Sequence, residues 1–260
     1  MTWFYATLWL AGAWPLARAW LRRRGSSLEH ALLWLGAAWV AWGAVSLLED
    51  PERPGWAPGR FVALALTCCP VVAVLGARRP YVGAWNFVVL GLCAVLLLPL
   101  LEMAVLGSHT LDTLRLFFLG ATLAIGVINY LPTRFGLGAL WIGVCLALEF
   151  WLLAAPERVP DGWRPEWTRL ALLLSPWLAW LASWRKHEAV TAFDRRWRTF
   201  RDSYGLVWGQ RAREQFNRAA ANAGWNATLT WRGLRASGLA EAQALDVLNG
   251  LLQRFLERHG

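Results

Sequence analysis

The sequence predicts an all-α protein, a polytopic membrane bundle of about seven transmembrane helices (residues 1–184) with a small, mainly helical tail (residues 185–260). Two observations predict this fold class. Hydrophobic residues make up 57% of the 260 residues, above the roughly 45–50% of ordinary globular domains. Long stretches such as 87–101 and 137–148 contain no charged side chain, and several runs approach the roughly 20 residues that a helix needs to cross a bilayer.

The first apolar run needs its own justification, because it ends in Leu-Ala-Arg-Ala, a pattern that a signal-peptide cleavage site can also show. No basic residue precedes this run, whereas Arg22, Arg23 and Arg24 follow it. A signal peptide has the opposite order, with its basic residues in front. We therefore expect a retained first span, and the seven predicted spans cover about 3–20, 29–48, 61–77, 81–106, 114–131, 137–155 and 168–184.

The basic residues near the span ends predict how the bundle is oriented. Thirteen arginines and lysines lie close to span ends on one side, counting the start of the tail, and six lie on the other side. The side richer in Arg and Lys is normally cytoplasmic. This predicts a cell-membrane protein with its N-terminus outside and its tail in the cytoplasm, although the bias nearly vanishes when the tail is left out.

The tail is basic and amphipathic. It carries 13 of the 26 basic residues of the chain, which has a net charge of +9. Basic residues beside a span are attracted to anionic lipid headgroups by about 1 kcal/mol each. We therefore predict headgroup contacts through Arg195, Arg196, Arg198 and Arg201, with a protein partner or self-association through the tail helices as a further possibility. Nucleic-acid binding is disfavoured.

The periodicity of the tail predicts three helices. The first has an apolar face with steps of three and four residues and ends at Gly205, and the second covers about 207–223 and ends at Gly224. The third carries leucines at heptad-like spacing from Leu245 onward. Between them, residues 228–231 show a weak strand pattern, but no partner strand is evident. The apolar face of the first helix comprises Ala189, Phe193, Trp197, Phe200 and Tyr204.

No motif in the chain specifies a reaction or a cofactor. The sequence contains no P-loop, GxGxxG, HExxH or Ser-x-x-Lys pattern. Its cysteines lie inside apolar runs without the spacing of a disulfide framework or a zinc site, so we predict neither a metal nor a cofactor. These cysteines are Cys68, Cys69, Cys93 and Cys145.

Ionisable residues near the ends of spans four to six are the candidate site residues, because charge at membrane depth is costly and often functional. They are Glu149, Arg115, Glu102 and His109. At 1.5 Å per residue, Glu102 lies about 32 Å along span four, near the outer interface, whereas Glu149 lies only about 18 Å along span six. Glu149 is therefore the acid predicted to lie within the membrane.

Three hypotheses can explain Glu149. It can form a structural ion pair with Arg115, act in a proton or cation relay, or join His109 in a metal or general acid-base site. The structural pair is the hypothesis that needs no further assumption. Asn86 and Asn129, near the ends of spans four and five, are expected to form interhelical hydrogen bonds, with a polar path as the alternative.

Two classes of function remain open, and with them the question whether the chain is an enzyme. The absence of a catalytic motif and the amphipathic tail favour a non-enzymatic membrane scaffold or assembly component, whose tail contacts a partner or anionic lipid. The alternative is a membrane-embedded enzyme or carrier that handles a lipid-linked or small polar substrate at the outer leaflet, through Glu149, Arg115, Glu102 and His109.

Overall fold

A computed structural model describes residues 2–48, 58–77, 82–106, 113–155, 158, 165–184, 191–236 and 241–256. The elements in this part of the chain are, in order, α1 (Thr2–Arg23), α2 (Glu29–Leu48), α3 (Pro58–Leu75), α4 (Val82–Leu106), α5 (Thr113–Tyr130), α6 (Gly136–Ala154), α7 (Pro165–Trp184), α8 (Ala192–Asn222), β1 (Ala227–Leu229), β2 (Leu234–Ala236) and α9 (Glu241–Leu256).

The prediction of an all-α fold is confirmed, since a helix lies at each of the seven predicted apolar runs. Among the described residues, five helices are long and apolar enough to cross a membrane: α2, α3, the greater part of α4, α5 and α6. The helices α1 and α7 are long enough but are not apolar enough to meet the same criteria. The chain therefore has the apolar helices of a multi-pass membrane protein.

The helices α1–α7 form a bundle in which α2 and α3 pack against each other, and α1 and α7 lie side by side. Its interior is apolar and includes Leu64, Leu119 and Leu173. Large apolar side chains also cover the outer surface, such as Phe87 and Leu114, each 74% exposed. An apolar exterior around an apolar core is typical of a bundle that faces lipid.

Residues 191–256 pack against one end of this bundle, which we call the tail end. This end is formed by residues 24–28, 76–77 and 131–135, which link α1 to α2, follow α3 and link α5 to α6. A single apolar cluster crosses the boundary, with Leu28 and Val74 on the bundle side and Trp208 and Phe255 on the tail side. The tail is thus continuous with the core of the bundle.

The helix α8 begins at Thr191, whose side chain accepts a hydrogen bond from the backbone N–H of Asp194. It is interrupted at Gly205, where φ is 80° and ψ is −164°, so the first two predicted tail helices meet at this glycine. Gly224, with φ 68°, follows the end of α8 as predicted. In α9, Leu248 is fully buried as expected.

The expectation that the weak strand in the tail has no partner is wrong. Residues 227–229 form β1, which pairs antiparallel with β2, and Ala227 lies opposite Ala236. A tight turn connects the two strands, since Thr230 N–H donates to Gly233 O at 2.9 Å. Asp194 of α8 accepts a hydrogen bond from Leu234 N–H at 3.1 Å, and this bond fixes the hairpin against the helix.

Candidate functional site

Among the candidate site residues that the structure describes, Glu149 on α6 is the most deeply buried. Its side chain has no exposed surface, and its Oε2 lies 2.9 Å from Nε of Arg60 on α3, whose side chain is 9% exposed. Nearby on α7, Arg169 is 3% exposed and donates from Nη1 to Val45 O at 3.3 Å. The structure therefore sets buried charge between several helices of the bundle.

The hypothesis that Glu149 pairs with Arg115 is wrong. The guanidinium of Arg115 forms a bidentate pair with Glu102, with 2.7 Å from Nη1 to Oε2 and 2.7 Å from Nη2 to Oε1. This pair joins α4 to α5, and each side chain is 33% exposed. Glu102 and Arg115 thus act together near the surface, whereas Glu149 is partnered by Arg60.

The fourth candidate, His109, lies outside the described residues. The metal and acid-base hypotheses that involve it therefore stay predictions. Within the described ranges, no group of three or more histidines, cysteines, aspartates or glutamates could hold a metal ion.

The pair of Glu149 with Arg60 is closed off from solvent, and such a pair is best suited to joining helices. Breaking such a buried pair costs about 3–5 kcal/mol, because the remaining charge has no counter-charge.

The second arrangement of buried polar groups lies at the tail end, where Asn129 of α5 meets the break in α8. Asn129 is 4% exposed. Its Nδ2 donates to Tyr204 O at 3.3 Å, and its Oδ1 accepts from Val207 N–H at 3.0 Å. An interrupted helix leaves backbone groups without partners, and one amide side chain of the bundle satisfies a carbonyl and an N–H across the break.

Gly205 makes this contact possible for two reasons. Its positive φ of 80° is a conformation that side chains with a Cβ rarely adopt. A Cβ at this position would also lie 2.6 Å from Cγ and 2.7 Å from the backbone oxygen of Asn129. The close approach of α5 to α8 therefore requires glycine.

A hydrogen-bonded junction around Tyr204 ties three segments together. The Tyr204 hydroxyl, in a side chain that is 1% exposed, donates to Phe255 O of α9 at 2.9 Å and lies 3.0 Å from Oγ of Ser27. Burial raises the pKa of Tyr204 above its ordinary value, an effect that the Ser27 hydrogen bond and the charge of Arg23 oppose. The hydroxyl therefore stays protonated and able to donate.

Three aromatic side chains make further polar contacts across the boundary. Trp208 Nε1 donates to Val74 O at 2.8 Å, a carbonyl in the last turn of α3 that also accepts from Ala77 N–H at 3.1 Å. Tyr130 OH donates to Ser203 O at 3.1 Å, and Trp231 Nε1 donates to Pro132 O at 2.8 Å. Each ring buries apolar surface and also satisfies a carbonyl.

One of the four arginines predicted to contact lipid headgroups is buried, which corrects that prediction for this residue. Arg201 is 6% exposed; it donates from Nε and Nη2 to Asp202 Oδ1 at 2.9 and 2.8 Å and from Nη1 to Trp231 O at 2.7 Å. Arg198 is partly buried and donates to the backbone of the hairpin at 3.2 Å. Arg195 and Arg196 are exposed, so a headgroup contact stays a prediction for these two.

Sequence reasoning predicted interhelical hydrogen bonds for Asn86 and Asn129 but not their partners. The bond of Asn86 is confirmed, because Trp34 Nε1 of α2 donates to its Oδ1 at 2.8 Å. The bond of Asn129 is also confirmed, and its partner is α8, 75 to 78 residues away. The only sequence signal for this contact is the conjunction of an amide at the end of an apolar run with a glycine inside an amphipathic helix.

Comparisons of the chain with protein-family models, curated proteins and solved structures found no match. The functional interpretation therefore rests on the geometry of the described residues. Two features carry it: the ion pair within the bundle and the docking of the tail.

We expect the Glu149–Arg60 pair to be structural, and a double-mutant cycle tests this. Glu149→Gln and Arg60→Met should each lower the free energy of unfolding by about 3–5 kcal/mol, whereas the double variant should recover most of the loss. The measurement is unfolding in mixed detergent micelles. Glu102→Gln, which disrupts the more exposed pair, is the control and should cause a much smaller loss. Equal losses in the double variant and the single variants would contradict the structural role.

Replacing Gly205 should separate the tail from the bundle. In Gly205→Ala, the added Cβ clashes with Asn129, so we expect amide hydrogen exchange over residues 202–209 to rise by roughly tenfold or more, as for local opening with a free-energy change of about 1.4 kcal/mol or larger. Gly224→Ala is the matched control, because Gly224 also has a positive φ but a Cβ there would meet nothing within 4 Å. An equal rise in both variants would mean that backbone strain alone explains the effect.

Proposed function

We propose that the chain is a non-enzymatic membrane scaffold, in which a bundle of about seven spans holds a folded basic domain at the cytoplasmic surface of the cell membrane. The observation that carries this proposal is the docking of residues 191–256 on the tail end, through the contact of Asn129 with the break at Gly205. A tail fixed in this way presents its surface in one orientation, which is what a scaffold requires.

The lengths and packing of α1 and α7 support seven spans. The two helices have 22 and 20 residues, which corresponds to about 33 and 30 Å at 1.5 Å per residue, and the hydrocarbon core is about 30 Å thick. They pack on each other and on α2, and Tyr5 OH donates to Glu166 O at 3.1 Å. With seven spans, the N-terminus and the tail lie on opposite sides.

The distribution of arginine supports a cytoplasmic tail. The tail end carries Arg22 and Arg23 in the last turn of α1, Arg24 after it and Arg134 before α6, and the tail itself adds its own excess of basic residues. Arg23 contributes to docking, since its Nη2 donates to Ser203 Oγ at 2.6 Å. By the positive-inside rule, this end faces the cytoplasm.

We infer that two exposed arginines of the docked tail lie near the headgroups of this leaflet, because each is next to a tryptophan that bonds to the tail end. The guanidinium of Arg211 lies 5.4 Å from the ring of Trp208, which bonds to the end of α3. Arg232 is adjacent in sequence to Trp231, which bonds to the loop between α5 and α6. Anionic lipid is therefore the partner that we propose for the base of the tail, through Arg211 and Arg232, with Arg195 and Arg196 as further contacts.

The ion pairs of Glu149 and Glu102 favour a structural role over catalysis. Glu149 has no exposed surface and lies 2.9 Å from Arg60, so an enzyme or carrier that used it would first have to break a buried ion pair. Glu102 is held by both terminal nitrogens of Arg115. These contacts support a bundle whose charges stabilise its own packing.

Chemical footprinting of arginine tests the proposed lipid contact. In nanodiscs of phosphatidylglycerol, compared with nanodiscs of phosphatidylcholine, phenylglyoxal should modify Arg211 and Arg232 several-fold more slowly, because about 1 kcal/mol of headgroup attraction per residue protects them. Arg218 is the control, since it lies about 10 Å further along α8 and should react at the same rate in both lipids. Equal rates for Arg211 and Arg232 in the two lipids would contradict the proposed contact.

A further inference from the structure

A long groove runs between α6 and α7 on the outer surface of the bundle. Its volume is about 700 Å³, and its lining is almost entirely apolar. The residues that form its two walls include Leu137, Leu140, Trp141 and Val144 of α6 and Ala171 and Leu178 of α7. A hydrogen bond from Trp141 Nε1 to Ala171 O at 2.8 Å joins the two walls.

The groove exists because small residues take positions where larger ones would close it. Gly138 on α6 and Ala171 and Ala182 on α7 belong to its lining, and a Cβ added at Gly138 would meet nothing within 4 Å. The lining residues of α6 follow steps of three and four, so they form one face of the helix. From Leu137 to Leu148 this face extends over about 16 Å, roughly half of the hydrocarbon thickness of about 30 Å.

One end of the groove is basic. Arg134, which precedes α6, belongs to the lining. Its Nε lies 3.6 Å from Asp202 Oδ2, which is too long for a hydrogen bond, and no hydrogen bond from this guanidinium is found in the described part of the chain. Asp202 already accepts two hydrogen bonds from Arg201. One carboxylate therefore faces two guanidinium groups, which leaves a positive charge at this end.

We propose that this groove binds one acyl chain of an anionic phospholipid from the leaflet at the tail end, with the lipid phosphate on Arg134. The length of the apolar face matches one leaflet, and the donor groups of the guanidinium suit phosphate oxygens. The proposal rests on the membrane placement described under the proposed function but not on the surface arginines. The acyl chain matches the apolar walls of the groove, and the phosphate matches its basic end at Arg134.

Another copy of the chain is a less suitable occupant. An apolar helix from a second copy would cover Leu137 and Leu140 but would leave Arg134 to share the single charge of Asp202 with Arg201. A free phosphate would satisfy Arg134 but would leave the apolar walls uncovered. A phospholipid satisfies both, and the acyl chain and the headgroup can be tested separately.

Native mass spectrometry of the detergent-purified full chain tests the proposal, by titration with phosphatidylglycerol and phosphatidylcholine that have identical acyl chains. Both lipids carry a phosphate, but the choline cation of phosphatidylcholine offsets its charge, so the unaltered chain should prefer phosphatidylglycerol by roughly fivefold, which corresponds to about 1 kcal/mol of net headgroup attraction per basic residue. Arg134→Gln should abolish this preference at the groove, that is, for the lipid whose binding Gly138→Leu lowers. Gly138→Leu should fill the groove and lower the binding of both lipids by roughly tenfold, because several methylene groups at about 0.8 kcal/mol each lose their site.

Gly91→Leu is the matched control, because a Cβ at Gly91 on α4 would also meet nothing within 4 Å, but Gly91 does not belong to the lining. It should bind both lipids as the unaltered chain does. Glycerophosphoglycerol, which has the headgroup but no acyl chains, should not compete. Unchanged binding in Gly138→Leu, competition by the free headgroup, or a change of oligomeric state in Gly138→Leu without loss of lipid would each overturn the proposal. Arginine footprinting of Arg211 and Arg232 reports on the surface contacts independently.

Discussion

The contact of Asn129 with the break at Gly205 is the interaction on which the arrangement of the whole chain depends. A helix that stops in the middle of a buried surface leaves backbone groups that need partners, and Asn129 satisfies two of them from the end of α5. Beside this contact, the hydroxyl of Tyr204 forms hydrogen bonds with Ser27 and with Phe255 O. The bundle and the tail share one core because this polar contact aligns them.

The bundle contains a second constraint, since it buries charged side chains where apolar side chains would cost less free energy to bury. Glu149 and Arg60 bring α6 and α3 together at one defined register, and the pair of Glu102 with Arg115 does the same for α4 and α5 nearer the surface. Apolar side chains pack in many registers at similar free energy, whereas an ion pair between two specific side chains favours a single register. The two pairs thus give the apolar helices a specific alignment.

Much of the architecture could be predicted from the sequence, because long apolar runs and tail periodicity depend on local patterns. The runs indicated each bundle helix, and the glycines at 205 and 224 marked breaks that the structure shows. The depth of Glu149 along its run did not determine which way its side chain faces. The partner of Glu149 could not be predicted, since it depends on which helices pack together and how each is rotated. The partner of Asn129 and the β1–β2 hairpin were missed for the same reason, because three-residue strands and a single amide carry too little pattern.

The central claim is that the tail has one fixed position on the bundle. Pulsed electron paramagnetic resonance tests it most directly, with spin labels introduced by Leu131→Cys at the tail end and Arg218→Cys on α8, both exposed positions, while the native cysteines are buried. Docking predicts a single narrow distance distribution between the two labels in nanodiscs. A broad distribution, such as a tail tethered only through residues 185–190 would give, would contradict the account.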